Sequence, residues 1–292
     1  MKFRAVSSAG LVAALVTALV IGLVIVLAVG GAGTWWLTRP APAVPEIAAK
    51  PDEVPLPIPP VPPRIAEGED YEKCLAMLPA DPAGAGNFAD SWMQRGGGEG
   101  ATHCLALSKV ELGDAAAGAG MLQALAAAST ATPVARAAVY AQADQAYTMA
   151  GDLTSALGAA TLALSLSPDD VDMLVDRAVV SGGLQHWQDC IDDLTHALDL
   201  DPKRGDALVL RGSAWRHLEH LDLAQDDIDR AMTLDPDNAD ALLERGILRQ
   251  REDNVAGARD DWNRAIDDDP DSVTADLAQQ YLALLDAGPE RK

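Results

Sequence analysis

Histidines are the first candidates for chemistry, because an imidazole can bind a metal or carry a proton near neutral pH. His217 and His220 are three residues apart, so a helix would place both on one face. Zinc needs three or four ligands and no cysteine lies near this pair, so we expect two exposed polar residues. His103 precedes Cys104, the residue pair of a Cys–His nucleophile. We expect no catalysis there, because a disulfide at Cys104 would exclude it.

Short runs of aspartate are the second candidates, because carboxylates bind calcium. A calcium-binding loop needs a glycine within the acidic positions and a glutamate at its end, and none of these runs has both. The first three runs stand at equal intervals on or beside predicted helices. We therefore predict no metal site and no cofactor. The runs are Asp192–Asp193, Asp226–Asp227, Asp260–Asp261 and Asp267–Asp268–Asp269.

The sequence has three cysteines, Cys74, Cys104 and Cys190. Cys74 and Cys104 lie on two short predicted helices, with a third helical stretch near residues 83–95 between them. If this part of the chain is exported, an oxidising compartment permits a disulfide between these two. Closing such a loop is worth roughly 3–4 kcal/mol in the chain-entropy estimate. We predict a Cys74–Cys104 disulfide.

Composition limits the class of protein. The 292 residues carry a net charge of −22 and only 4% aromatic residues, and alanine and leucine dominate the apolar ones. Strands would need more β-branched and aromatic side chains, so the composition favours helices. So negative a chain repels phosphate backbones and anionic lipid surfaces, which argues against nucleic acid as a partner.

The N-terminal segment has the character of a membrane anchor. No charged residue occurs from Ala5 to Thr38, and the apolar run exceeds the roughly 20 residues that a span needs. Lys2 and Arg4 precede it, so the positive-inside rule predicts a cytoplasmic N-terminus (1–9), an anchor (10–37) and an exported remainder. The alternative is a signal peptide cleaved near Gly30. We expect a single-pass protein of a bacterial inner membrane whose body lies in the periplasm.

A proline-rich linker (38–64) follows and is typical of extended polyproline II. Beyond it, proline recurs at 168, 202, 236 and 270, always 34 residues apart and after the sequences ALSLSP, ALDLDP, AMTLDP and AIDDDP. Small residues recur with the same period at Ala156, Cys190, Ala224 and Ala258. This pattern resembles the tetratricopeptide repeat (TPR) family, whose period is 34 residues.

The resemblance implies an all-α solenoid of helical hairpins coiled into a right-handed superhelix. It places four repeats at 137–170, 171–204, 205–238 and 239–272, a head with a degenerate repeat at 65–136, and a capping helix with a tail at 273–292. Asp144 departs from the family, which prefers glycine or alanine there. Cys190 takes a small packing site, so we expect a buried free thiol.

The resemblance also implies a binding groove along the first helix of each repeat. Its side chains would be exposed and apolar, with a basic edge, and would bind an extended or helical segment of a partner protein. Packing within the solenoid is the alternative for the same residues. The Lys/Asn pattern of chaperone-tail-binding TPR domains is absent. The groove residues are Gln145, Met149, Val175, Val179, Val209, Ser213, Arg216, Leu243, Ile247, Gln250 and Arg251.

Arginines and aspartates recur at facing positions of the predicted hairpins. We predict a ladder of Arg–Asp pairs along the solenoid, each worth under about 1 kcal/mol if exposed. The pairs are Arg177–Asp193, Arg211–Asp227 and Arg245–Asp261.

The function that the resemblance implies is a non-catalytic scaffold, anchored in the membrane, that binds a protein and serves the assembly or maturation of envelope or exported proteins. The alternative is a self-assembling structural protein or a regulatory subunit of a membrane enzyme complex. The sequence leaves the oligomeric state and the partner's identity open.

Overall fold

A computed structural model describes residues 64–287 of the chain, and this part consists of α-helices without a β-strand. The helices are α1 (Glu69–Met77), α2 (Pro82–Gln94), α3 (Gly98–Glu111), α4 (Ala115–Ala128), α5 (Pro133–Met149), α6 (Leu153–Leu166), α7 (Val171–Gly183), α8 (Trp187–Leu200), α9 (Gly205–His217), α10 (Leu221–Leu234), α11 (Ala239–Arg251), α12 (Val255–Asp268) and α13 (Val273–Ala287).

The predicted membrane anchor (10–37) and all but the last residue of the proline-rich linker (38–64) lie outside the described residues. Between residues 64 and 287, no helix is both long and apolar enough to cross a bilayer.

Local sequence determines where the helices begin and end. Asp170 and Asn238 accept hydrogen bonds from the backbone N–H of Met173 and Ala241, which caps the first helices of two hairpins. Each recurring proline follows the second helix of a hairpin, where its missing N–H prevents the helix from continuing. Ser272 caps α13 through its hydroxyl, which accepts from Ala275 N. A helix, α13, thus follows the last hairpin.

Consecutive helices pair into hairpins, and the hairpins stack in chain order: α3–α4, α5–α6, α7–α8, α9–α10 and α11–α12, with α13 packed on the last. The predicted small sites lie at the helix contacts, with Ala156, Ala224 and Ala258 fully buried and Cys190 nearly so. The degenerate repeat is also a hairpin. A Cβ on Gly118 would lie 2.4 Å from Val110, so this position must be small. The all-α repeat architecture predicted from the 34-residue period is confirmed.

In the α9–α10 and α11–α12 hairpins, a glycine on the first helix lies against a large side chain on the second. Trp262 fills the contact in the α11–α12 hairpin and donates from Nε1 to Leu243 O, and a Cβ on Gly246 would lie 2.3 Å from its ring. The equivalent pair in the α5–α6 hairpin is Asp144 opposite Ala160. Because Ala160 is small, α5 accommodates a buried aspartate where the other hairpins need alanine or glycine.

The disulfide lies within the head and joins its first helix to the α3–α4 hairpin. Cys74 on α1 is bonded to Cys104 on α3, with the two Cα atoms 6.2 Å apart. Both side chains are fully buried in an apolar cluster that extends from Ile65 to α6. The predicted pairing is confirmed, and Cys190 is the free, buried cysteine that was expected.

Candidate partner-binding face

The first helices of successive hairpins lie next to one another, α5 to α7, α7 to α9 and α9 to α11, while the second helices are farther apart. The stack therefore curves toward the first helices. We call the surface formed by α5, α7, α9 and α11 the inner face. All the predicted groove residues belong to these four helices.

The predicted groove residues divide by burial. Val175, Val209, Leu243 and Ile247 are at most 7% exposed and pack in the apolar core. The expectation that these four side chains are exposed is therefore wrong. A helix turns by about 100° per residue, so a small error in register exchanges the open side for the packed one. Val179 is 42% exposed. Gln145, Met149, Ser213 and Gln250 are partly exposed, and Arg251 is exposed.

Arg216 does not form a basic edge. Its side chain is buried, and its guanidinium donates from Nε to Glu244 Oε2 at 2.7 Å and from a terminal nitrogen to Glu244 Oε1 at 3.0 Å. Ser213 Oγ donates to the same carboxylate at 2.8 Å. The three residues form a closed interhelical network that leaves no positive charge for a ligand. Arg251 donates to Glu219 at 2.6 Å, so it is paired as well.

His217 and His220 contact two different tryptophan side chains. His217 stacks on Trp187 with ring centroids 3.9 Å apart and planes 2° from parallel, and it is half-buried, so the expectation of an exposed residue is wrong for His217. Burial and the neighbouring Arg216 charge lower its pKa to about 4. His220 meets the edge of Trp215 and is exposed as expected.

The Arg–Asp ladder is present in all three predicted hairpins. Each arginine donates two hydrogen bonds to its aspartate at 2.6–3.0 Å: Arg177 to Asp193, Arg211 to Asp227 and Arg245 to Asp261. The three aspartates are buried. The value of under about 1 kcal/mol that was expected for an exposed pair therefore does not apply to the ladder. These bonds raise the pKa of each of the three arginines. The acidic runs thus contribute structural carboxylates.

A buried hydrogen-bonded chain accompanies the disulfide. His103 is fully buried, with Nδ1 2.7 Å from Tyr71 Oη and Nε2 2.6 Å from Gln142 Oε1. The carbonyl of Gln142 accepts from Nε2–H, so Nδ1 accepts from the tyrosine hydroxyl. Burial lowers the pKa of His103 to about 4. With Cys104 in a disulfide, His103 has no thiol to activate and serves as a neutral bridge between α1, α3 and α5.

No His, Cys, Asp and Glu side chains in the described part of the chain form a group of three or more that could hold a metal ion. Sequence reasoning missed Asp176 and Glu244 on the inner face. It also missed Trp187 of α8, which stacks on His217, and Tyr281 of α13, which stacks on Trp262. Glu244 had a signal, since it is a single charge within the apolar stretch ALLERGIL.

The fold and this face define the class of the chain as a TPR-type helical-hairpin solenoid. It is similar to the APC/C hetero-tetramer Cut9–Hcn1, with a TM-score of 0.54 and 17% identity over 73% of this chain and 42% of that one. It is also similar to an IFIT1 monomeric mutant with Gppp-AAAA, with a TM-score of 0.54 and 14% identity over 75% of this chain and 59% of that one.

A third similar structure is the Arabidopsis OM64 TPR domain, with a TM-score of 0.39 and 24% identity over 40% of this chain and 98% of that one. The chain matches no protein-family model and no curated protein. Sequence identities this low establish the fold only.

Proposed function

We propose that the chain is a non-catalytic scaffold that binds a segment of another protein on its inner face. The observation that carries this proposal is Val179 on α7. It is a 42% exposed apolar side chain on the helix between α5 and α9. Gln145 on α5 and Ser213 on α9 occupy the corresponding positions and are partly exposed. An apolar contact flanked by polar ones is suited to an extended or helical peptide.

The proposal includes an exported, membrane-anchored location, with the partner belonging to the envelope or to exported proteins. Two features support it. The apolar run at residues 10–37 is long enough for a bilayer span. The Cys74–Cys104 disulfide belongs in an oxidising compartment such as the periplasm.

Nucleic acid is the partner class that charge disfavours. Although the similar IFIT1 structure contains Gppp-AAAA, this chain has a net charge of −22 and its inner-face arginines 216 and 251 are paired with glutamates. A phosphate backbone would meet repulsion without compensating cations. Self-assembly is the second candidate function, and Leu284, 60% exposed on the capping helix, is the feature that favours it.

The test compares Val179→Glu with Leu223→Glu by crosslinking in intact cells and affinity capture of the full chain. The two residues are 42% and 41% exposed, but Leu223 lies on α10, a second helix away from the inner face. We expect one partner to be lost with Val179→Glu and retained with Leu223→Glu. Equal capture by both variants would contradict the inner-face assignment. Capture of only the chain's own copies would support self-assembly.

A further inference from the structure

Two interhelical contacts of the inner face occupy equivalent positions, 68 residues or two repeats apart. One joins α9 to α11, and the other joins α5 to α7. Between α9 and α11, Ser213 and Arg216 both bind the carboxylate of Glu244. Subtracting 68 from these numbers gives Gln145, Thr148 and Asp176, on α5 and α7. Gln145 Nε2 donates to Asp176 Oδ2 at 3.2 Å, as Ser213 does to Glu244. The arginine is what differs, because Thr148 takes its position.

The contact between α5 and α7 leaves several polar atoms without a partner. Gln145 Oε1, Thr148 Oγ1 and Asp144 Oδ1 are shielded from solvent, and none has a hydrogen-bond partner among residues 64–287. Asp144 is only 2% exposed and lies one turn before Thr148 on α5. Buried oxygens of this kind are costly unless something donates to them. Gln145 Oε1 can only accept a hydrogen bond, and the other two oxygens can accept one, so a hydrogen-bond donor would satisfy all three.

The pKa values of the two carboxyl groups at this contact also indicate that no cation neutralises them. Burial, with a further contribution from the charge of Asp176, raises the pKa of Asp144 to about 8. Burial also raises the pKa of Asp176 to about 6. Arg204 is the cation whose charge reaches Asp176, but its guanidinium is held by Asp172 at 2.6 Å and by Asp206 at 2.7 and 3.0 Å. Two carboxyl groups are therefore present without the cation that Glu244 has.

We propose that the contact between α5 and α7 binds the guanidinium group of an arginine side chain supplied by the partner protein. This rests on the proposed function and names the chemistry that the inner face recognises. Asp176 would accept a two-pronged hydrogen bond, as Glu244 does from Arg216, while Gln145 Oε1 and Thr148 Oγ1 accept from the remaining N–H groups. We call these three residues and Asp144 the arginine site.

Three considerations select arginine of a partner over other occupants. A metal ion is disfavoured, because no three metal-ligating side chains are grouped anywhere in the described part of the chain. The chain itself places a guanidinium, that of Arg216, at the equivalent contact between α9 and α11. A basic partner segment is also attracted by a chain with a net charge of −22.

The test selects peptides from a random displayed library against the full chain and against three variants. Asp176→Asn removes the charge while keeping the shape. Thr148→Arg supplies the chain's own guanidinium and should fill the site. Asp267→Asn is the control, since Asp267 is an exposed aspartate on α12. We expect arginine to be enriched at one peptide position with the wild type and with Asp267→Asn, but not with the other two variants.

Affinity of one selected peptide then tests the contact directly. Replacing its arginine by citrulline, which keeps the shape without the charge, should weaken binding to the wild type at least about tenfold, the cost of truncating one partner of a buried charge pair. Asp176→Asn should remove that difference. Thr148→Arg should raise Tm, which also shows that its loss of binding is not unfolding.

Each contrary result has a distinct meaning. Peptides that bind the inner face without an enriched arginine would overturn the arginine site and leave the proposed function intact. Equal affinities for the arginine and citrulline peptides would do the same, since the oxygens would then be satisfied by water. Failure to select any peptide with either the wild type or the chain carrying Arg39→Gln and Lys50→Gln would contradict both proposals. Arginine peptides that bind only after Arg39→Gln and Lys50→Gln would assign the site to the chain's own N-terminal segment instead.

Discussion

Arg216 and Glu244 form a buried ion pair that joins α9 to α11, with two hydrogen bonds of 2.7 and 3.0 Å between their side chains. The pair crosses from one hairpin to the next, so it fixes how the α9–α10 and α11–α12 hairpins stack. Tyr281 of the capping helix also lies within reach of both charges, which shift its pKa less than burial does. The inner face is thus a set of interhelical contacts, some closed by a salt bridge and one without its cation.

Removing one member of the Arg216–Glu244 pair should destabilise the chain far more than removing both. Arg216→Met leaves Glu244 buried without a cation, which we expect to cost about 3–5 kcal/mol. The double variant Arg216→Met with Glu244→Leu should regain most of this loss, because apolar residues can replace a buried pair at little cost. Urea unfolding of the full chain, followed by circular dichroism, measures both. A single variant within about 1 kcal/mol of wild type would contradict the burial of the pair.

The ladder should likewise stabilise the chain more than an exposed pair would. Arg211→Met leaves Asp227, which is 2% exposed, without its two strongest hydrogen bonds. We expect a loss of about 2–3 kcal/mol in unfolding free energy. Arg230→Met is the matched control, because Arg230 makes one 3.3 Å contact to the same aspartate and is 43% exposed. An equal effect of the two substitutions would show that the ladder geometry does not matter.

The features that could be predicted depend on spacing along the chain. The 34-residue period predicted the hairpins, and residues 16 apart predicted the pairs such as Arg245–Asp261, since positions equally far from the turn of an antiparallel hairpin lie at the same level. The disulfide followed from the placement of Cys74 and Cys104 on two early helices. Each of these inferences tolerates an error of one residue in the helix boundaries.

The exposure of individual side chains could not be predicted in this way. Val175 and Val179 are one turn apart on α7, yet the first is buried and the second is exposed. This difference depends on how neighbouring helices pack around α7, which the sequence pattern does not contain. The turn between the two helices of a hairpin could not be predicted either. Gln185 adopts a left-handed conformation there at φ 61°, at the position that Gly151 occupies in the preceding hairpin. A non-glycine residue there gives no sequence signal.

The disulfide should stabilise the head, and Cys190 should be inert until the chain unfolds. Burial raises the pKa of the Cys190 thiol to about 12, so its nucleophilic thiolate is scarce in the folded state. We expect no thiol to react with Ellman's reagent in the native protein and one per chain in denaturant.

Cys74→Ser with Cys104→Ser should lower the unfolding free energy by about 3–4 kcal/mol. Cys190→Ala should change it little. Three reactive thiols in denaturant would show that the bond does not form.

Asp144 should make stability fall as pH rises. Its folded-state pKa of about 8 lies above the ordinary value of 3.8, so the folded chain keeps this proton at pH values where the unfolded chain has released it. The stability is therefore greatest below pH 4 for this group and is lost progressively up to pH 8. Asp176 on α7 contributes in the same direction, since its pKa is raised to about 6.

Asp144→Asn removes this titration while keeping the size of the side chain opposite Ala160. We expect the stability gained by the variant to grow by at least about 1 kcal/mol between pH 5 and pH 8, because one unit of pKa shift corresponds to about 1.4 kcal/mol. Urea unfolding at both pH values measures the gain, with Asp267→Asn as the exposed control. A gain that is the same at both pH values would mean that Asp144 ionises normally in the folded chain. Such a result would also make Asp144 a second carboxylate of the arginine site at neutral pH, beside Asp176.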